Sequence, residues 1–421
     1  MAILQQGQGL IGIALMLFFA WVLSEDRRAR PSWRWIGGAV LLQITIALAV
    51  TRIPFIWTLV GFANEGVAAI ERATLVGSSY MFGYTGGAPI PFLLKPGVEP
   101  PVIVAFQILP LIITFSALSA LLWHWGILRA MVRGLSWALR KTLGVSGVVG
   151  LGGGATMFLG VVESPLVLRA WFDKMNRAEL FMIMVLIMAT ISGAILVLYA
   201  TTLSRTVPNA VGHMIVASLI SLPAAVLIAR LMVPGDGAAS ADDAVADLTY
   251  ESSIDAIIRG TMEGVQLVLA VIGVIIVVFA LVNLVDQMLA WLPLLDGEPL
   301  TLKRCFGWLF APLMWAIGVP WDQAPAAGAL MGTKAILNEY VAYLDLAALP
   351  IGTLDARSTL IVTYALCGVA NLASVGLLVS TIGTLAPARR AEVAKLGMKS
   401  WMAGNFASAM TGAIIGLVTI V

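Results

Sequence analysis

Eight stretches of this chain, at 3–23, 35–51, 103–125, 180–203, 209–232, 263–292, 358–380 and 401–421, are apolar over most of their length. Each approaches the ~20 residues a helix needs to cross the hydrocarbon core of a bilayer. A chain of this kind folds against lipid, where every backbone polar group must find its partner inside the protein. Charge agrees, because 11% of the residues are charged and 60% are hydrophobic, whereas soluble domains keep roughly a quarter charged. The fold class expected is an all-α polytopic membrane protein. The net charge of +2 is small, and no basic cluster is of the kind that suggests nucleic acid. Cys305 and Cys367 lie in different segments and form no CxxC, and two histidines are too few for most metalloenzyme schemes.

The run at 10–23 has the length of a signal-peptide core, but no Lys or Arg precedes it and "EDRRARPSWR" follows. Signal peptides carry their positive charge first, so an uncleaved helix with its N-terminus outside is expected. Arg27, Arg28, Arg30 and Arg34 follow the first span, Arg129, Arg133, Arg140 and Lys141 the third, and Arg389, Arg390, Lys395 and Lys399 precede the last. If all three clusters are cytoplasmic, eight crossings leave both termini outside.

Two further apolar tracts, 144–168 and 306–347, are interrupted by Gly, Pro and charge. The count of crossings closes only if the first dips in from the cytoplasm and returns, and the second does the same from outside. Both are therefore expected to be re-entrant hairpins, of opposite orientation. Non-helical backbone survives at that depth only when buried in protein or lining a wet cavity. Each hairpin carries one deep acid, Glu163 in "VVESPL" and Glu339 in "ILNEYVAYL", and each is followed by a span with a polar middle, 185–199 and 360–378. An acid-bearing hairpin followed by a polar-centred helix, twice and inverted, is the layout of an inverted-repeat transporter.

An acid near the bilayer centre costs ~2.5–3.5 kcal/mol on insertion scales. The functional reading is that Glu163 and Glu339 accept hydrogen bonds from a polar solute, with Asn371 and Ser374 supplying further groups from one helix face. The alternative is that each acid is neutralised by a helix terminus or by a Lys such as Lys334, and that Asn371 staples two helices together. An enzyme reading is also open: "GVSG" (144–147) fits the Gly-x-Ser-Gly pattern of rhomboid-type intramembrane proteases, pairing Ser146 with His213, although these two are expected at opposite surfaces. Other stretches read more plainly. Residues 234–255 hold six acids, a solvated cytoplasmic loop, and 53–102 an external amphipathic segment and loop. "WHWG" (123–126) looks like an interfacial anchor, with His124 and His213 ordinary interfacial side chains rather than proton relays.

At these same residues the chain resembles the concentrative nucleoside transporter family, through much of 103–421. "FQILPLIITFSALSALLWHWGILRAMVR" is similar to that family's third span and interfacial helix, "MFLGVVESPLVLRAW" to its first hairpin, "LMGTKAILNEYVAYLDL" to its second, and "YALCGVANLASVGLL" to the helix after it. The resemblance implies a homotrimer in the inner membrane and secondary active uptake by an elevator-like movement, driven by a Na⁺ or H⁺ gradient. It implies scaffold helices and an external segment over 1–130, a first transport repeat over 131–206, helices five and six with the acidic loop over 207–304, and a second transport repeat over 305–421.

On the resemblance, Glu339 holds ribose hydroxyls with Asn371 and Ser374, Glu163 is the base-side acid, and Ile195 lines the same pocket. The family's first hairpin tip reads Gly-Gln-Thr-Glu, its Gln and Thr bonding the nucleobase. Here it is Gly160-Val161-Val162-Glu163, and the aromatic residue expected two before Asn371 is Val369. Valines offer packing without hydrogen bonds, so a nucleoside or nucleoside-like ribosyl compound is expected, with relaxed or shifted base preference; a non-nucleoside polar solute is the alternative. The family's Na⁺ ligands fall on Thr156 and Thr190 with the carbonyls of Leu159 and Ile191. Oxygen ligands suit a hard cation, and a proton on Glu163 or Glu339 is the competing coupling device. No other cofactor is implied.

Overall fold

The computed structural model describes residues 2–95, 102–204, 206–235, 248–295 and 297–419. Among them, regular structure is all helical, with one isolated bridge between Leu295 and Glu298. The chain opens with α1 (Ala2–Val22), α2 (Trp33–Arg52), α3 (Pro54–Phe82), a short α4 (Val104–Gln107) and α5 (Pro110–His124). A first set follows: α6 (Ile127–Leu143), α7 (Gly147–Thr156), α8 (Glu163–Val167), α9 (Arg177–Ala189), α10 (Gly193–Leu203) and α11 (Ala210–Met232). After α12 (Ser253–Leu289) the pattern recurs: α13 (Leu302–Ala316), α14 (Ala324–Gly332), α15 (Glu339–Ala348), α16 (Ala356–Leu366), α17 (Leu372–Leu385) and α18 (Arg390–Val418). Each set runs amphipathic helix, hairpin of two short helices, broken helix, long helix.

The amphipathic member of the first set shows why it lies at a surface. In α6, Leu128, Val132, Leu139 and Leu143 recur at helical spacing and are buried, while Arg133, Arg140 and Lys141 are exposed. The hairpins turn where helix geometry fails. The first turns between Thr156 and Glu163, at "MFLGVV"; the second passes through a π-turn at Thr333–Leu337 and an extended Asn338. Asn338 caps α15, its Oδ1 accepting the Tyr340 N–H at 2.7 Å.

The structure corrects several sequence expectations. The spans at 180–203 and 358–380 are not continuous: they break at Thr190–Ser192 and at Cys367–Asn371. The breaks meet each other. Gly368 has φ +151°, and a Cβ there would lie 3.0 Å from the Ala189 carbonyl oxygen at the end of α9, so only glycine permits this crossing. The span at 103–125 is interrupted before Pro110, which begins α5 where a missing N–H costs nothing. The second hairpin is α14 with α15, while the first part of 306–347 belongs to the separate helix α13. Within the external amphipathic segment and loop expected over 53–102, Pro54–Phe82 form the 29-residue helix α3. Trp123 is no interfacial anchor: it is buried, and its indole donates to the Leu248 carbonyl at 2.9 Å. Of the acidic loop, 236–247 lie outside the described residues.

Burial separates inner from outer helices. In an apolar 18-residue stretch of each, 89% of the residues through α9 and α10 and 83% of those in α11 are buried, against 11% in α12. Near the start of α9, Arg177 pairs with Glu25 at 2.8 Å and with Glu392 at 3.2 Å, and Lys399 also reaches Glu25 at 3.0 Å. This cluster ties the segment after α1 to α9 and α18.

Candidate functional site

Four helix N-termini approach one cavity: those of α8, α10, α15 and α17, each starting just after a break or a hairpin turn. The cavity holds about 310 Å³, of the size that takes a drug-sized molecule. Glu339 is the polar focus of one wall. Its Oε1 accepts the Tyr199 hydroxyl at 2.6 Å and its Oε2 the Asn371 amide Nδ2 at 2.5 Å. Both donors hold the carboxylate in one orientation while leaving it lone pairs for a ligand.

The orientation of Asn371 is itself fixed. Its Oδ1 accepts the Ser374 N–H at 2.8 Å and caps α17, so its Nδ2 must face Glu339. The three-residue spacing of Asn371 and Ser374 is thus the geometry of a cap rather than of one helix face. Lys334 does not pair with Glu339: its ammonium donates to Asn405 Oδ1 at 2.9 Å and Ser408 Oγ at 2.6 Å, both on α18.

The opposite wall is the first hairpin tip. Gly160, Val161, Val162 and Glu163 all line the cavity, and Val162 is 39% exposed toward it. The Glu163 carboxylate folds back over its own turn, onto Gly160. A Cβ on Gly160 would lie within 2.5 Å of Glu163 Oε2, so glycine is what allows this fold-back. Ile195, Val369 and Ser374 complete the sequence-expected set in the lining.

Thr156, Leu159 and Thr190 also line the cavity, with Ile191 buried beside them. The hydroxyls of Thr156 and Thr190 donate to the Gly153 and Leu186 carbonyls at 2.9 and 2.8 Å. Their protons are committed to the helices, which leaves oxygen lone pairs free, and oxygen is the ligand type a hard cation takes. Sequence reasoning missed Tyr199, Tyr340, Asn338 and Ser192, all in the lining. Tyr199 and Tyr340 stack at 5.7 Å between centroids, 12° from parallel. Only the position of Tyr199 in the helix after the first hairpin could have flagged it.

The protease pairing is not assembled. Ser146 caps α7, accepting the Val149 N–H at 3.4 Å, while the His213 ring lies 3.0 Å from the Tyr364 hydroxyl.

Three family models match: "Na+ dependent nucleoside transporter C-terminus" over 213–416, the corresponding "N-terminus" over 11–85, and "Nucleoside recognition" over 105–206. The chain is 31% identical to "Uncharacterized transporter YutK" of Bacillus subtilis, covering 97% of this chain and 98% of that one. It is 28% identical to "Nucleoside permease NupC" of Helicobacter pylori, covering 97% and 96%. Its fold is similar to a solved structure of CNTnw "in an inward-facing substrate-bound state", with a TM-score of 0.86, 32% identity and 98% of each chain covered. Inverted repeats, two opposed hairpins, matching models and whole-chain relatives together lead to one conclusion: the chain belongs to the concentrative nucleoside transporter family and is a membrane transporter, not an enzyme.

Proposed function

We propose that the protein takes up nucleosides or nucleoside-like ribosyl compounds across the inner membrane, coupled to a cation gradient. The observation that carries this reading is the doubly held Glu339 carboxylate. Vicinal hydroxyls of a ribose present two donors, which a fixed carboxylate with free lone pairs accepts as charge-assisted hydrogen bonds. Glu163 and the methyl-rich Val161-Val162 face the base. With two valines there, the base is held by packing and by the Tyr199–Tyr340 surface more than by edge hydrogen bonds, so discrimination among bases is weak.

Sodium is the coupling ion, held by Thr156 and Thr190 with the carbonyls of Leu159 and Ile191; a proton on Glu163 or Glu339 is the competing device. Either gains ~2.3 kcal/mol per charge per 100 mV of membrane potential. The two hairpin-bearing repeats, 131–206 and 305–421, move as a transport body against helices from 1–130 and 207–304, in a homotrimer with both chain termini outside. The large apolar surface of α12, which the chain itself leaves uncovered, supports a scaffold role facing lipid or other copies. Uptake of a labelled nucleoside panel into proteoliposomes, with Na⁺ replaced by choline and at two pH values, tests substrate and ion together. No uptake of, or competition by, any nucleoside overturns the substrate assignment.

A further inference from the structure

Glu163 has a second side. Besides the solute cavity it lines a smaller cavity of about 40 Å³, enclosed by α5, α12, the first hairpin tip and the entry to α10. Across this space stands Glu263, on α12. An acid inside so apolar a helix demands a reason.

Its placement follows from helix packing. A Cβ at Gly260 would lie 2.7 Å from the Ser116 carbonyl oxygen, and one at Gly264 2.7 Å from Ile113 Cα. This small-xxx-small spacing draws α12 backbone-close to α5. Glu263, beside Gly264, is thereby set next to Ser116 and Ser119 rather than in lipid.

The rest of the wall is mainly apolar, but it carries three serine hydroxyls that nothing claims. Ser192 is 8% exposed and occupies the N-cap position of α10, yet its side chain makes no capping bond. It lines both cavities, and among the described residues its hydroxyl has no hydrogen-bond partner, nor have those of Ser116 and Ser119. Tyr250 closes one end. Arg259, one turn before Glu263, is directed elsewhere, to Asp255 at 3.4 Å and the Thr249 carbonyl at 3.3 Å, with its guanidinium over the Tyr250 ring. No Lys, Arg or His lines the cavity.

Two carboxylates facing one another without a cationic side chain repel unless something positive lies between them. We infer that this cavity is a monovalent-cation site, in which Glu163 and Glu263 share one sodium or hydronium ion with the hydroxyls of Ser116, Ser119 and Ser192. Its volume suits an ion with at most one water, given ~30 Å³ per water in the liquid. All its ligands are oxygen, as a hard cation prefers. The described residues contain no group of three or more His, Cys, Asp or Glu that could hold a metal ion, which argues against a divalent occupant. Because Glu163 also faces the solute cavity, the ion joins three things: it neutralises the acid beside the solute, it fixes the first hairpin tip, and it ties that tip to α12. The site uses neither Thr156 nor Thr190 and does not depend on which solute is carried.

The test uses the purified full chain in detergent, without nucleoside. Radioactive sodium binding and proton release to an indicator dye, as pH steps from about 5 to about 8, are read for wild type and Glu263→Gln. A sodium occupant predicts one bound sodium fewer per chain in Glu263→Gln; a hydronium occupant predicts unchanged sodium binding there and, because glutamine itself removes a titrating carboxyl, is read from altered proton release in Ser192→Ala. Ser192→Ala, which keeps both carboxylates, should weaken the same signal several-fold and serves as the readout if Glu263→Gln does not fold. Sodium binding equal to wild type in the folded variants, with proton release equal to wild type in Ser192→Ala, overturns the site. Neither readout involves nucleoside, so the outcome is separable from the substrate assignment.

Discussion

Asn371→Asp isolates the donor that holds Glu339 from the cap that holds α17. Asn371 does both: Oδ1 accepts the Ser374 N–H at 2.8 Å, and Nδ2 donates to Glu339 Oε2 at 2.5 Å. Aspartate caps about as well as asparagine, so α17 keeps its start. The donor, however, becomes a second carboxylate pressed against Glu339, and two carboxylates in contact do not both stay ionised. Glu339 then loses its fixed orientation and a share of its charge. A hydrogen bond to a charged group is worth about 1.5–3 kcal/mol, and each 1.4 kcal/mol is tenfold, so solute affinity should fall roughly 10–100-fold. Proteoliposome uptake would show this as a raised KM, with the thermal unfolding midpoint little changed. Asn371→Ala is the comparison, because it removes donor and cap together and should also lose about 1 kcal/mol of stability. A KM for Asn371→Asp within about twofold of wild type, under 0.5 kcal/mol, would refute the claim that this bond prepares Glu339 for its ligand.

Other changes probe separate parts of the argument. Tyr199→Phe removes the 2.6 Å bond to Glu339 Oε1 while keeping the ring stack on Tyr340, and should raise KM about tenfold or more without changing preference among bases. The double change Val161→Gln with Val162→Thr adds hydrogen-bonding groups to the base-facing wall; selectivity between competing nucleosides should sharpen by up to about tenfold per bond formed, measured by competition uptake. Gly264→Leu forces a side chain against Ile113, where even a Cβ would sit 2.7 Å from backbone; overpacking of about 1–3 kcal/mol or more should lower the unfolding midpoint, and an unchanged midpoint would contradict the close α5–α12 contact. Arg177, with Lys399, holds the Glu25 carboxyl down at about 2, below its ordinary 4.5. A depressed carboxyl stabilises the fold above its unfolded value and loses that contribution as pH falls toward the folded one. Thermal melts of wild type and Glu25→Gln should therefore differ near neutrality, draw together as pH falls below about 4.5, and converge only near pH 2.

Hydropathy and charge placement alone sufficed for the membrane class, the approximate spans, the two opposed hairpins and the acids at their tips. These are local consequences of a solvent that tolerates only satisfied backbone and expels charge, so they are written in composition along the chain. Glu163, Glu339 and the Val161-Val162 tip were visible for that reason, and all of them line one cavity. The breaks at Thr190–Ser192 and Cys367–Asn371 were not visible as breaks, since each apolar run continues through a few small or polar residues. They exist because two chain segments cross there, at Gly368 against Ala189. Tyr199 looked like any aromatic residue in an apolar helix until folding set it against Glu339, 140 positions away. Glu263 merely opens the expected span 263–292, and only the packing of Gly260 and Gly264 on α5 sets it across from Glu163. Pairings between distant residues belong to tertiary structure, because no local rule of periodicity or charge states which buried group will meet which.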